Sequence, residues 1–263
     1  MIPPVSIITV YYNNPEDLIK LATSIKSLLP KEQYEWIVVD NNSKVNLSDK
    51  LDCTYLLQTE NVGFGAGCNA GAKAAKGEHL FFVNPDSEFI ENCMPLLVKT
   101  SEKNLIAGPQ VLYPDGYLQL SFGPFLSLSA ERRQKSLQYR ERTKKIQTWI
   151  RNEAPRNPDF VSGCAMTMPA SIFQSLGGFD ENFFLYNEDV DLCKRAHEIG
   201  FNSAYVSEAR IQHSKSGSAK HSLDRASQEY RKSQLLYYKK HHGAIQNFLL
   251  RVYLRLSGKM PSQ

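Results

Sequence analysis

Four apolar segments in the first 83 residues, separated by helix and turn signals, limit what this chain can fold into. Residues 5–12 (VSIITVYY), 35–39 (EWIVV), 53–57 and 79–83 read as β-strands. After the first comes Asn14-Pro15-Glu16-Asp17: an N-cap, a proline at the first helical position and acids in the first turn. Leu18, Leu21, Ala22, Ile25, Leu28 and Leu29 continue at helical spacing. A glycine- and alanine-rich helix follows the third strand. Apolar strands alternating with helices predict a parallel sheet covered on both faces, and such sheets bind ligands beyond the carboxyl ends of their strands. Asp40, in the turn Asp40-Asn41-Asn42-Ser43, and Asp86, in Asn84-Pro85-Asp86, both sit there.

From residue 104 the pattern changes. Tyr113-Pro114-Asp115-Gly116-Tyr117 predicts a turn between short strands, and residues 160–168 (FVSGCAMTM) return to the sheet. Glu188-Asp189-Val190-Asp191 opens a helix that runs to about Ile199, and 204–206 and 210–212 read as two short strands. The chain has 263 residues, 42% of them hydrophobic, with a net charge of +4, which excludes a disordered chain or a disulfide-stapled miniprotein. That near-neutral total gives no reason to expect a nucleic-acid partner. It hides a segregation, however. Residues 131–156 carry nine Lys/Arg against three acids, and residues 225–259 carry eight against one. The five scattered cysteines form no C-x-x-C pair, so buried thiols are expected rather than disulfides or zinc. No signal peptide is visible and no apolar run nears the ~18–20 residues that span a bilayer, so a cytoplasmic location is expected.

Four features carry chemistry. Leu192, Cys193, Ala196 and Ile199 form an apolar stripe that Asp189 extends towards the helix start, so Asp189 is expected to point inward beside Phe183, Phe184 and Tyr186. Desolvation there makes it a better base. Glu188, Asp191 and Arg195 fall on the other face, where Asp191 is expected to pair with Arg195 in solvent. The plainer alternative is that these acids only favour the positive end of the helix dipole. Asp86 on its proline turn suits a hard divalent cation, or simply closes the strand. Gly65-x-Gly67-x-x-Ala70, with Asp86 about twenty residues on, fits a dinucleotide fingerprint and keeps open an NAD(P)-dependent oxidoreductase. Against it, Thr59-Glu60-Asn61-Val62 separates the glycines from their strand, and close helix–sheet packing explains them as well. His213, after a short strand, can reach the same cleft as a metal ligand.

Taken in order, VSIITVYYN, WIVVDNNS, ENVGFGAGCNAG, FFVNPD, GPQVLYPDGYLQ, FVSGCAM and GGFDENFFLYNEDVDLCKR…ARIQH resemble the family 2 glycosyltransferases, most of all the rhamnosyltransferase-like group of bacterial surface polysaccharide synthesis. The resemblance implies an α/β GT-A fold (the nucleotide-diphospho-sugar transferase fold) with a mostly parallel central sheet flanked by helices. It implies a GT-A domain over 1–215 and a basic, amphipathic helical extension over 216–263. The activity implied is inverting sugar transfer from a nucleotide-diphosphate donor, with dTDP-rhamnose expected and UDP-galactose, UDP-glucose or UDP-N-acetylglucosamine as alternatives. A non-enzymatic binding subunit is the more remote reading.

In that resemblance Asp189 matches the catalytic base. Asp40 receives the N–H of the donor base, Thr9 and Tyr11 line the base pocket, and Asn61, Gly67 and Asn69 face the nucleotide. Asp86 matches the last acid of the D-x-D motif, which holds Mg2+ or Mn2+ against the diphosphate, and His213 completes the metal site. Position 84 is Asn, so only one acid of that motif is present. Glu188, Tyr186 and Trp149 are acceptor-side candidates, and residues 131–156 read as an acceptor lid or a solvated loop. The acceptor implied is a glycan on a lipid carrier at the inner face of the membrane. Residues 225–259, with Leu235, Leu236, Phe248, Leu249 and Leu254 among basic residues, suit a peripheral membrane contact or an ordinary packed helix. A homo-oligomer is left open.

Overall fold

Strand β1 (Val5–Tyr11) is apolar on both faces, which places it in the middle of a covered sheet. The computed structural model describes residues 4–215 and 223–261. After β1 come α1 (Pro15–Leu28), β2 (Tyr34–Asp40), β3 (Thr54–Leu57), α2 (Phe64–Ala74), β4 (His79–Val83), β5 (Ser87–Phe89), α3 (Met94–Ser101) and β6 (Leu105–Leu112). The second half adds β7 (Phe122–Gly123), α4 (Leu128–Tyr139), α5 (Lys144–Asn152), β8 (Phe160–Val161), β9 (Ala165–Pro169) and α6 (Ala170–Ser175). It ends with α7 (Glu188–Glu198), β10 (Asn202–His213), α8 (Leu223–His241) and α9 (Ala244–Leu256).

The main sheet has eight strands in the order β3-β2-β1-β4-β9-β6-β10-β5. All run the same way except β9, antiparallel to β4 and β6, and β5, antiparallel to β10. The mostly parallel GT-A sheet expected from the sequence is therefore present. The order reverses between β1 and β4, and the strand ends around that switch point carry Tyr11, Asp40 and Asp86. The two predicted strands at 204–212 are one long strand, β10, with a bulge between Val206 and Arg210.

Side-chain alternation divides the core. Ile7, Tyr11, Val38 and Phe81 pack with Leu18, Leu21 and Ile25 of α1 and Leu97 of α3. Ile8, Val10, Val39 and Phe82 pack on the other face with Cys68 of α2, Phe173 of α6 and Leu192 of α7. On that face the glycines of α2 prove to be packing residues. A Cβ on Gly67 would lie 2.9 Å from Val10 Cγ1, and one on Gly71 2.6 Å from Ile8 Cγ2. All five cysteines are free thiols, four of them buried, as expected. Asn14, read as a side-chain cap, instead turns its amide onto Asp17.

Residues 131–156 are not a solvated loop: α4 and α5 occupy most of the segment, tied down by two buried acids. Glu131 accepts hydrogen bonds from Tyr230, Gln234 and Tyr238 of α8, and Glu141 accepts from the Tyr113 hydroxyl and the Leu120 N–H. The expected boundary after residue 215 adjoins residues 216–222, which lie outside the described residues. Beyond them, α8 and α9 pack back onto the domain, with Tyr237, Tyr238, Leu250 and Leu254 burying Phe183 and Val190. Among the described residues no helix is long and apolar enough to cross a membrane.

Asp191 is a correction. Its pairing with Arg195 is present at 2.8 Å, but the carboxylate is fully buried rather than in solvent. Lys240 at 2.8 Å and His241 at 2.7 Å, both from α8, complete a buried charge cluster. Burial pushes the Asp191 carboxyl up, but His241, Lys240 and Arg195 outweigh it and hold the group at about 2. Since this lies below its unfolded value of 3.8, the stabilisation is complete above that value and is lost as pH falls towards 2. Asp191→Ala should cost about 3–5 kcal/mol in urea unfolding at pH 7, because it strands buried cations. Asp191→Asn should flatten the loss of stability between pH 4 and pH 2, roughly 2 kcal/mol in the wild type.

Candidate active site

The reversed strand β9 brings its leading turn, residues 162–165, against the carboxyl end of β4, where Val83 pairs with Ala165. The Cys164 carbonyl accepts the Asn84 N–H at 2.9 Å, and the Gly163 N–H donates to Asp189 Oδ2 at 2.8 Å. One short turn thus touches the Asn84-Pro85-Asp86 corner on one side and the start of α7 on the other. Burial, with smaller contributions from the Asp86 and Asp189 charges, raises the Cys164 thiol to about 11.

At the first corner, β10 ends on His213, whose Nε2 lies 3.1 Å from Asp86 Oδ1. The Ser214 N–H donates to the Asp86 backbone carbonyl at 2.9 Å. Gln119 fixes the ring. Its Nε2 donates to the carbonyls of Leu112 and His213, so its Oε1 is left to accept from His213 Nδ1 at 3.2 Å. With Nδ1 turned to Gln119, Nε2 faces the Asp86 carboxylate, and Asn84 Nδ2 lies 3.5 Å from Nε2. That donor set fits a divalent cation, with Gln119 orienting the imidazole from behind. Among the described residues no cluster of three or more His, Cys, Asp or Glu surrounds a cation position. Two protein ligands suit an ion that takes its remaining ligands from a diphosphate and water.

At the second corner, Tyr186 and Asn187 enter α7 with φ of +71° and +65°, consecutive left-handed residues without glycine. Such backbone costs about 1–2 kcal/mol per residue, less for Asn, and is tolerated where the surroundings dictate it. Here the Ser233 hydroxyl of α8 donates to the Leu185 carbonyl at 2.7 Å, and the Tyr230 ring meets Tyr186 edge-on at 6.0 Å. The turn aims half-buried Asp189 at residues 162–165, so the expected inward orientation is observed. Its oxygens accept from the Gly163 N–H and the Val190 N–H, each at 2.8 Å. Gly163 suits the close approach: a Cβ there would lie 3.2 Å from Asp189 Cβ, a tight contact.

Glu188, expected on the opposite face, is also buried, against Gly65 of α2. Its Oε2 has no hydrogen-bond partner among the described residues. Burial, with the Asp189 charge beside it, pushes the Glu188 carboxyl well above the ordinary range. Burial raises Asp189 as well, but the N–H bonds from Gly163 and Val190 oppose the shift. Of the two, Glu188 is held further towards its protonated form.

The residues of the expected base pocket lie towards the ends of β1 and β2 and on or just before α2. Asp40 is fully buried, accepting from the Ser43 N–H at 2.7 Å and the Tyr55 hydroxyl at 2.6 Å. The Tyr11 hydroxyl, beside it, donates to the Val45 carbonyl at 2.9 Å. Thr9 does not line a pocket: its side chain is buried on the α1 face and its hydroxyl accepts from Trp36 Nε1 at 3.1 Å. The Cβ direction of Gly67 meets Val10, a helix-on-sheet packing contact. Asn69 is a latch. Its amide donates to the Phe179 carbonyl and Glu181 and accepts from the Phe179 N–H, fastening α2 to the loop before α7. Asn61 holds the Gly63 N–H at 3.0 Å and lies near Asn41. Trp149 packs on Phe122 and lines a groove between α4 and α5 with Arg133, Arg140, Lys144 and Lys145.

Sequence reasoning missed Gln119, Gly163 and Asn41, whose buried Oδ1 has no hydrogen-bond partner among the described residues. Gln119 and Gly163 lie inside the segments LYPDGYLQ and FVSGCAM, so the signal was present but pointed to no role.

The sequence pattern described as glycosyl transferase family 2 matches residues 6–174, more than half of the chain. O-antigen biosynthesis protein RfbC of Myxococcus xanthus is 28% identical over 236 residues, which cover 82% of this chain and 18% of that protein. N-acetylglucosaminyl-diphospho-decaprenol L-rhamnosyltransferase of Mycobacterium tuberculosis is 42% identical over 59 residues, 22% of this chain and 19% of that protein. The chain thus spans less than a fifth of the length of either relative. GalNAc-T7, crystallised with UDP, GalNAc and Mn2+, superposes with a TM-score of 0.63 at 16% identity, over 89% of this chain and 48% of that one. That likeness speaks for the fold. An oxidoreductase or a purely structural role for these residues is set aside, because the glycine segment packs helix on sheet while the acids converge on one turn. This chain belongs to the family 2 glycosyltransferases and has the GT-A fold.

Proposed function

We propose that the enzyme is an inverting, metal-dependent transferase that moves L-rhamnose from dTDP-rhamnose to a hydroxyl of a lipid-linked glycan in cell-surface polysaccharide synthesis. The observation that carries this reading is the pairing of the Asp86–His213 corner with Asp189 across residues 162–165. Sugar transfer needs a place for the departing diphosphate and, across the anomeric carbon from it, a carboxylate to take the proton of the incoming hydroxyl. The match to an L-rhamnosyltransferase and the O-antigen relative support the sugar and the pathway class. The donor is drawn from the cytoplasm and the acceptor is reached at the inner membrane face.

In this mechanism Asp189 removes the acceptor proton while the oxygen attacks the anomeric carbon from the side opposite the diphosphate, so configuration inverts. The Gly163 and Val190 N–H groups hold the carboxylate in line, and protonated Glu188 keeps a second negative charge out of the pocket. Tyr186, on its left-handed turn, and Glu188 flank the acceptor side. Asp40, Tyr11 and Asn41 receive the donor base at the ends of β1 and β2. Asp86 and His213 would hold Mg2+ or Mn2+, which would supply neutralising charge for the leaving diphosphate.

Calorimetry with dTDP-rhamnose, UDP-galactose, UDP-glucose and UDP-N-acetylglucosamine tests the donor. Tightest binding of dTDP-rhamnose supports the proposal, and preference for a UDP-sugar replaces rhamnose with that sugar. Asp189→Asn should lower kcat by about 10²–10⁴-fold with donor affinity kept. Because the base works deprotonated and its carboxyl is raised, wild-type kcat/KM should fall on the acid side with a midpoint above the ordinary aspartate value of 3.8. Gln119→Leu should weaken Mn2+-dependent dTDP binding roughly 10–100-fold, and binding measured in EDTA should be indifferent to this substitution.

A further inference from the structure

Helix α9 has two apolar faces and only one of them is covered. Leu250 and Leu254 are fully buried in the cluster with Phe183, Val190, Tyr237 and Tyr238. On the opposite side Ile245, Phe248 and Leu256 are 77%, 65% and 85% exposed, and Leu249 is about half exposed at 47%. Their spacing of i, i+3, i+4 and i+11 keeps them on one stripe, ~16 Å long at 1.5 Å per residue. At the same helical spacing Arg251 and Arg255 fall along one edge of the stripe, with Arg255 exposed. From Tyr230 to Gln263 the sequence has seven Lys/Arg and no Asp or Glu.

We propose that this outer face of α9 is the membrane-docking surface, seated in the interfacial region of an anionic phospholipid bilayer. An apolar stripe with cations along one edge and no acid beside it is the pattern that inserts shallowly while its charges meet acidic headgroups. A second copy of the chain is a poorer occupant. Antiparallel pairing of two α9 helices sets arginine rows together with no acid in the segment to neutralise them. The surface differs from the one expected from sequence, which took in all of 225–259: α8 is spent on the domain, where Ser233, Tyr230, Lys240 and His241 hold the turn before α7 and Asp191. The same attachment fixes the docking face relative to Asp189. The proposal rests on the lipid-linked acceptor reading for its purpose, and on the helix alone for its geometry.

The test is vesicle flotation of the full chain with phosphatidylcholine vesicles containing 30% phosphatidylglycerol, a composition chosen on the order of ~1 anionic lipid in 3. Pure phosphatidylcholine vesicles and the variant Phe248→Ser/Leu256→Ser provide the comparisons. Both replaced side chains are exposed, so the variant should fold, as its circular dichroism will report. The expected result is binding to the anionic vesicles, at least about tenfold weaker for the variant and for neutral vesicles, with Mn2+-dependent dTDP affinity unchanged. Equal partition of wild type and variant would overturn the proposal, as would no wild-type binding at all. A wild-type dimer in sedimentation that the variant dissolves, without vesicle binding, would assign the stripe to a second copy instead. Retained dTDP binding in any of these outcomes shows that the docking face alone has failed; its loss in the wild type shows that the transferase reading has.

Discussion

The direction of strand β9 governs the site. In a sheet whose neighbouring strands end at one edge, a strand that begins there places fresh backbone N–H and C=O groups beside the ends of the others. The turn at 162–165 uses both: a carbonyl for the Asn84 N–H and an N–H for Asp189. Were β9 parallel to β4, its leading turn would lie at the far edge of the sheet. Asp189 and the Asp86–His213 pair would then share no common support. The parallel half of the sheet obeys the usual rule for ligand positions, and the one reversal brings the start of α7 to the same edge.

The second constraint is the attachment of the C-terminal helices to the loop that presents Asp189. Buried charges are costly unless fully partnered, and Asp191 is partnered by Arg195 from its own helix and by Lys240 and His241 from α8. Arg195 also donates to the carbonyls of Leu176 and Gly178, so the same guanidinium holds the loop that Asn69 latches from the α2 side. The left-handed pair Tyr186–Asn187 is sustained within this frame. Strain at the entry to α7 is supported by packing from α8 rather than by local preference, which ties the C-terminal helices to the candidate site.

Glu188 and Asp189 show how one helix start serves two ends. Both carboxyls are raised by burial. Asp189 receives two backbone N–H bonds, while Glu188 Oε2 is buried with no donor among the described residues. Adjacent acids thus differ in what opposes the effect of burial.

The alternation of apolar strands and helices determined the sheet, its covered faces and the strand-end positions of Asp40 and Asp86, because burial on two faces demands that pattern and little else satisfies it. The stripe through Leu192 and Ala196 likewise fixed the inward direction of Asp189, since helical periodicity is local. Tertiary structure alone decided what depends on partners distant in the chain. Asp191 looked like a surface half of an i, i+4 pair until α8, fifty residues later, closed over it. Gly67 and Asn69 looked like ligand contacts until Val10 and Phe179 were found in their places. Gln119 gained a role only when β10 brought His213 to it. Periodicity and propensity are carried by neighbours along the chain; the state of a buried polar group is set by whichever distant atoms complete its hydrogen bonds.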